Sequence, residues 1–310
     1  MSIKSLQSKF DNTIISGIKY DENYLAYISL SIPLIFLLVF TGVPLVYVFY
    51  LSLMDTTLLA VDYDFVGMEN YQSLSEASLF FDSLVNGVIF AIGATALQIM
   101  LGLSLALFLN KKFIGSSILR TLVIFTYLAP MIAVAMIWSW MLDPHVGLLN
   151  QYLIQFGVIS DPISFFGNTT LAMPTIIIVS SWKFTAFAFL IFLARLQSID
   201  ESEYELAKIY GATTFQMFRT ITLPHLWKAI LLVVLLRTIW MFNRCDVVWL
   251  LTRGGPYDST TTLPVYIYQT AFIEFDLAMA SAASIVLFFT LSVIAVVYFW
   301  RFKPSQEVEV

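Results

Sequence analysis

Apolar residues dominate stretches of about one membrane thickness at six places along the chain, residues 25–53, 84–109, 122–141, 171–196, 229–251 and 277–300. The hydrocarbon core of a bilayer is about 30 Å thick, and a helix rising about 1.5 Å per residue crosses it in about 20 residues. Each stretch is therefore predicted to be a spanning helix. Residues 261–275 are also apolar, but the run is short, contains Pro264 and Glu274, and is followed by Asp276. It is predicted to lie at the outer surface or to re-enter shallowly.

Six crossings place both termini on one side, and the basic residues say which. Lysine and arginine are retained on the cytoplasmic face during insertion. Lys4, Lys9, Lys19, Lys111, Lys112, Arg120, Arg195, Lys208, Arg219, Lys228, Arg301 and Lys303 all fall in or beside the N-terminus, the second loop, the fourth loop or the C-terminus. The outer loops at 54–83 and 142–170 hold no lysine or arginine, and the last outer loop holds only Arg253. The expected fold is an all-α integral membrane protein with six transmembrane helices and both termini cytoplasmic. Residues 1–23 and 304–310 form its tails, and 24–303 its transmembrane domain.

Composition narrows the function classes. With 59% apolar residues, 12% charged residues and a mean hydropathy of +0.83, a chain of 310 residues lacks the polar surface of a water-soluble globule. Cys245 is the only cysteine, so no internal disulfide forms, and His145 and His225 are too few and too far apart for a zinc site. The polar, lysine-bearing start lacks a small-residue cleavage site, which argues against a removable signal peptide. No glycine-rich phosphate loop with its lysine is present, so no ATP site and no catalytic residue are expected in this chain.

The longest inner loop, residues 197–228, reads QSIDESEYELAKIYGATTFQMFRTITLPHLWK. Ser202 and Glu205 have the spacing of a capping box, Gly211 can end the helix in the left-handed conformation, and Thr213 or Thr214 can cap a second short helix through Arg219. Pro224 is expected to reset the chain before the fifth span. Leu206, Ile209, Tyr210, Phe215, Met217 and Phe218 leave this helix-turn-helix an apolar face that suits a partner groove.

Glu205, Leu206 and Ala207, then Gly211, then Ile221, Thr222, Leu223 and Pro224 resemble the EAA loop of the permease subunits of binding-protein-dependent ABC importers. Leu206 stands where that family usually has alanine, and Tyr210 where aspartate is common. FVGMENY (65–71), SLVNGVIF (83–90), WSWMLDPHVGLLN (138–150) and LLTRGGPYDSTTTLPVYIY (250–268) are similar to segments of the maltose-type, carbohydrate-uptake group, first-permease type. The resemblance implies a pore subunit of a bacterial or archaeal inner membrane. Glu205, Leu206, Ala207, Gly211, Ile221, Leu223 and Pro224 would couple it to two ATP-binding subunits, which hold the ATP and Mg. It further implies a second homologous permease, an extracytoplasmic solute-binding protein, surrounding lipid, a sugar-type substrate and no nucleic acid.

Charges inside spans are costly and normally face a cavity or a partner. Lys183 sits half way along the fourth predicted span, and Arg237, Arg244 and Asp246 sit in the fifth. Arg237 and Arg244 are two turns apart and so are expected on one helix face, with Trp240 and Met241 on or near it. Asp246 can pair with an arginine, whereas Arg237 has no acid near it on its own helix. By resemblance, Lys183, Phe187, Arg237 and Met241 match sugar-contacting positions of the maltose-type subunits. Two cations where neutral-sugar members carry amide, hydroxyl or apolar groups imply an anionic solute, such as a sulfonated, phosphorylated or uronic sugar. Trp182, Trp240, Asn243, Arg244 and Asp246 complete the expected pathway. The competing expectation is an ion-coupled secondary transporter using Lys183, Asp246 and Arg237 as coupling groups.

Overall fold

The computed structural model describes residues 22–59, 63–111 and 113–302. Lys4, Lys9, Lys19, Lys112, Lys303 and the expected tails, apart from residues 22 and 23, lie outside the described residues. The chain divides into two compact units, one ending at Tyr50 and one beginning at Leu51.

Among the described residues, the first unit consists of an apolar helix built from α1 (Glu22–Leu37), a π-turn at Leu38–Gly42 and α2 (Val43–Leu51), whose last residue opens the second unit. The π-turn ends two residues before Pro44. A proline cannot donate to the carbonyl four residues back and its ring pushes that carbonyl aside, so the helix widens locally instead of breaking.

In the second unit, a two-stranded ribbon pairs β1 (Met54–Asp55) with β2 (Asp64–Phe65), Met54 opposite Phe65. α3 (Glu69–Glu76) leads into α4 (Ser78–Leu109), whose 32 residues give it a length of about 48 Å. α5 (Ser116–Leu128) and α6 (Met131–Met141) follow, bent by 100° to one another. The expected third span is thus broken. Pro130 withholds a backbone donor and forces Ala129 into extended geometry, with ψ of 134°. α7 (Leu148–Gln155) lies between α6 and the central α8 (Ala172–Gln197).

After α8 come α9 (Glu201–Ile209), α10 (Thr214–Met217), a second π-turn at Phe218–Thr222 and α11 (Leu223–Phe242). Pro224 follows this π-turn by the same spacing as Pro44 follows the first, and it does not reset the chain as expected. Thr214–Phe242 is one helix of 29 residues. The fifth span also stops earlier than predicted, at Phe242, and resumes as α12 (Asp246–Leu251). α13 (Leu263–Phe272) is the short helix expected before the last span, α14 (Leu277–Arg301). Among the described residues, five helices are long and apolar enough to span a membrane, or six if α5 and α6 are one broken span.

α4 and α8 form the most extensive helix pair, and α11 packs against both. Small residues let them approach. A Cβ on Gly102 would stand 2.7 Å from the Ala188 Cβ and 2.9 Å from the Phe189 amide nitrogen, inside any real contact distance. Phe90, Ile176, Met241, Phe242, Val247 and Leu263 belong to one apolar core, and Leu109, Phe189, Phe192, Leu226 and Val233 to a second.

Candidate functional site

The loop after α8 builds an exposed apolar surface from its own sequence. Asp200, rather than the expected Ser202 and Glu205 box, caps α9 by accepting from the Ser202 amide at 2.9 Å. The helix begins at Glu201, so Ser202 already lies inside its first turn and cannot serve as cap, and the aspartate offers a stronger acceptor at the positive helix end. That backbone hydrogen bond holds the Asp200 carboxyl below its ordinary value, so the cap stays ionised at neutral pH. Gly211 ends α9 with φ of 77°, and the Gly211 and Ala212 amides bond back to the Lys208 and Ala207 carbonyls in a Schellman closure. Thr213 and Gln216 form a reciprocal capping box at the start of α10. The surface so shaped is apolar and bare: Ile209 is 81% exposed and Tyr210 82%, with Leu206 and Phe215 also exposed. Glu205 is exposed as well, while Ala207, Ile221 and Leu223 are half-buried and Pro224 is exposed.

The intramembrane charges occupy a second site. Arg237 on α11 is 1% exposed. Its Nε donates to the Gln98 Oε1 of α4 at 2.5 Å, and Gln98 Nε2 in turn meets the Met241 Sδ at 3.4 Å. The guanidinium lies 5.1 Å from the Phe184 ring centre, 5.5 Å from Phe187 and 5.8 Å from Trp240. Each such contact is worth about 0.5–2 kcal/mol, more where water is excluded. Arg237 Nη2 has no hydrogen-bond partner among the described residues.

Arg244 does not share a helix with Arg237, because α11 ends at Phe242. The break nevertheless brings the two cations to one ring, with the Arg244 guanidinium 4.3 Å from the centre of Phe184. Arg244 also pairs with Asp246 at 3.1 Å, and Asp246 accepts from the Val247 amide at the start of α12. Trp240, Asn243, Arg244 and Asp246, with Ile239 and Cys245, line a cavity of about 380 Å³ at this break. Trp240 stacks edge-on against Phe187 at 5.0 Å, and Trp182 against Trp138 at 5.7 Å.

Lys183 is placed differently. It is 4% exposed, and its ammonium donates to the carbonyl oxygens of Tyr127, at 3.2 Å, and of Ala129. These carbonyls end α5 where Pro130 breaks the span, so the cation sits at the negative end of a helix whose last acceptors lack helical donors.

Residues 98–302 match the family described as "Binding-protein-dependent transport system inner membrane component". The chain belongs to this family. It is 34% identical over 274 residues to the probable ABC transporter permease protein y4oQ of Sinorhizobium fredii, covering 88% of each chain. It is 34% identical over 288 residues to the trehalose/maltose transport system permease protein MalF of Thermococcus litoralis, covering 93% of this chain and 97% of that protein. In fold it is similar to a chain of a bacterial ABC transporter involved in import of the acidic polysaccharide alginate. The TM-score is 0.77, at 22% identity, covering 93% of this chain and 97% of that one.

Sequence reasoning found the cations of the permease and missed what surrounds them. Gln98 and Phe184 hold Arg237 in place, and both were readable only as members of apolar spans. A glutamine buried mid-helix in α4 was the available signal, since such a group needs a partner. The carbonyls that hold Lys183 had no side-chain signal at all beyond Pro130.

Proposed function

We propose that the permease forms one half of the pore of an ATP-driven ABC importer for a sugar or sugar derivative that carries a negative charge. It pairs with a second homologous permease and two ATP-binding subunits and receives solute from an extracytoplasmic binding protein. The observation that supports this most directly is the continuity of one helix. Thr214–Phe242 runs from the bare apolar loop at α9 and α10 to the buried Arg237. A partner that moves the loop therefore acts on the rod that carries the charge. The bias of basic residues supports a cytoplasmic loop and cytoplasmic termini.

The sugar class rests on similarity to the trehalose/maltose permease of Thermococcus litoralis. The negative charge rests on local balance. Three cations, Lys183, Arg237 and Arg244, stand near one carboxylate, Asp246, which is already held by Arg244. The Lys183 donors face backbone carbonyls, so Arg237 is the cation left with a neutral amide, three rings and an unpartnered Nη2. We assign solute recognition to Arg237, with Phe187, Trp240, Met241 and Asn243 along the same path.

A charge-assisted hydrogen bond is worth about 1.5–3 kcal/mol, or about 10- to 150-fold in affinity. In the reconstituted complex, Arg237→Met is expected to raise the concentration for half-maximal uptake of trigalacturonate by that factor, with basal ATP hydrolysis unchanged. A wild-type complex that imports maltose or trehalose and rejects trigalacturonate would remove the charge assignment.

A further inference from the structure

Two side-chain links leave α9, one for the last residue of the π-turn and one for the first turn of α11. Tyr204 Oη and Thr222 Oγ1 are hydrogen-bonded at 2.9 Å, and Thr222, the last residue of the turn, is buried. Glu203 Oε1 lies 3.4 Å from His225 Nε2, and the other ring nitrogen, Nδ1, lies 2.8 Å from the Ile221 carbonyl oxygen.

The acceptors decide the state of the ring. A carbonyl oxygen can only accept, so Nδ1 must carry a proton to bond Ile221. An ionised carboxylate can also only accept, so Nε2 must carry one too. Both contacts are attractive together only when His225 is imidazolium. Glu203 on α9 meets the ring, and Arg195 on α8 reaches the backbone of the same residue. Arg195 donates from Nε to the His225 carbonyl oxygen at 2.9 Å. The other titratable residues of α9 are Glu201, Tyr204, Glu205 and Lys208.

We propose that Glu203 and His225 form a proton-dependent latch between the docking helix and the first turn of α11, with the Tyr204 and Thr222 pair as its charge-independent hinge at the π-turn. A π-turn holds one residue more than an α-turn, so tightening or relaxing it rotates α11, which carries Arg237, relative to α9. With the latch closed, motion of α9 passes to α11. When His225 loses its proton, only the hinge remains and part of the motion is lost in the turn. This deepens the coupling role proposed above and rests on it. The latch needs a proton on each ring nitrogen, so it closes on acidification and opens as pH rises.

The latch is first tested with the full chain in nanodiscs, by amide hydrogen exchange of residues 203–210 at pH 5.5 and pH 8, each corrected for the intrinsic rate. Exposed ion pairs contribute a factor of about 1.5 to 5, so exchange should be faster by that factor at pH 8. Glu203→Gln should abolish the pH difference, and His225→Arg should keep the slow exchange at both values. Tyr204→Phe should raise exchange equally at both. In the reconstituted complex, ATP hydrolysed per trigalacturonate or maltose imported should rise with cytoplasmic-side pH in wild type and stay flat in Glu203→Gln. A pH step in exchange that survives Glu203→Gln, or a flat wild-type exchange profile, overturns the latch. An exchange step without any pH dependence of the ATP ratio overturns its role in coupling. A wild-type complex that hydrolyses ATP and imports nothing overturns the importer reading, and the exchange result then judges the latch alone.

Discussion

Lys183 and Arg237 look alike in the sequence, each a cation in an apolar span, and the surroundings assign them different work. Lys183 closes the end of α5, where its ammonium replaces the helical donors that Pro130 cannot supply. A brace of this kind fixes the angle of a broken span, and we propose that it does so without touching solute. Lys183→Met should therefore leave the half-maximal solute concentration of the reconstituted permease unchanged. It should lower the thermal stability of the purified chain, since leaving buried acceptors unsatisfied costs about 1–3 kcal/mol. A raised half-maximal concentration with unaltered melting would return Lys183 to the solute path. Residue identity made the buried cations legible in advance. Their partners were not, because Gln98 lies 139 residues from Arg237 and the Lys183 acceptors are backbone atoms.

At the scale of elements, the apolar runs read directly as helices, since length and hydropathy are one-dimensional properties. Their breaks did not. The 100° bend between α5 and α6 was signalled by Pro130, yet the run of apolar residues across it hid the break. Pro224 gave the opposite error, because a π-turn absorbed a proline that was expected to end the helix. Both cases turn on how neighbouring carbonyls are satisfied, which depends on packing and not on composition. Packing also makes Gly102 the tightest point of the α4 and α8 pair. Gly102→Leu drives a branched side chain into Ala188 and the Phe189 backbone. Overpacking of this kind costs about 1–3 kcal/mol, and backbone contact places this site at the upper end. The expected result is a sharp loss of monodisperse protein on heating in detergent. Gly115→Leu is the contrasting substitution, for a Cβ there meets nothing within 4 Å and only its φ of 93° is strained. Equal melting of the two variants would show that α4 and α8 do not depend on close approach.

At the scale of the whole molecule, the single helix Thr214–Phe242 runs from the apolar loop at one end to the charged centre at the other. The loop motif was legible because glycine, proline and capping residues act locally and at fixed spacing. The charged centre was legible only as a set of cations, since convergence on Phe184 requires the break after Phe242 that no local signal announced. An ion-coupled carrier would use the same buried charges as coupling groups, so the energy source is what separates the two accounts. The decisive measurement is uptake of trigalacturonate or maltose into proteoliposomes holding the permease, its partner permease and the ATP-binding subunits, with the binding protein outside. The account predicts accumulation that requires ATP on the cytoplasmic side and persists when a protonophore collapses the ion gradient. Accumulation without ATP that disappears with the gradient would contradict it.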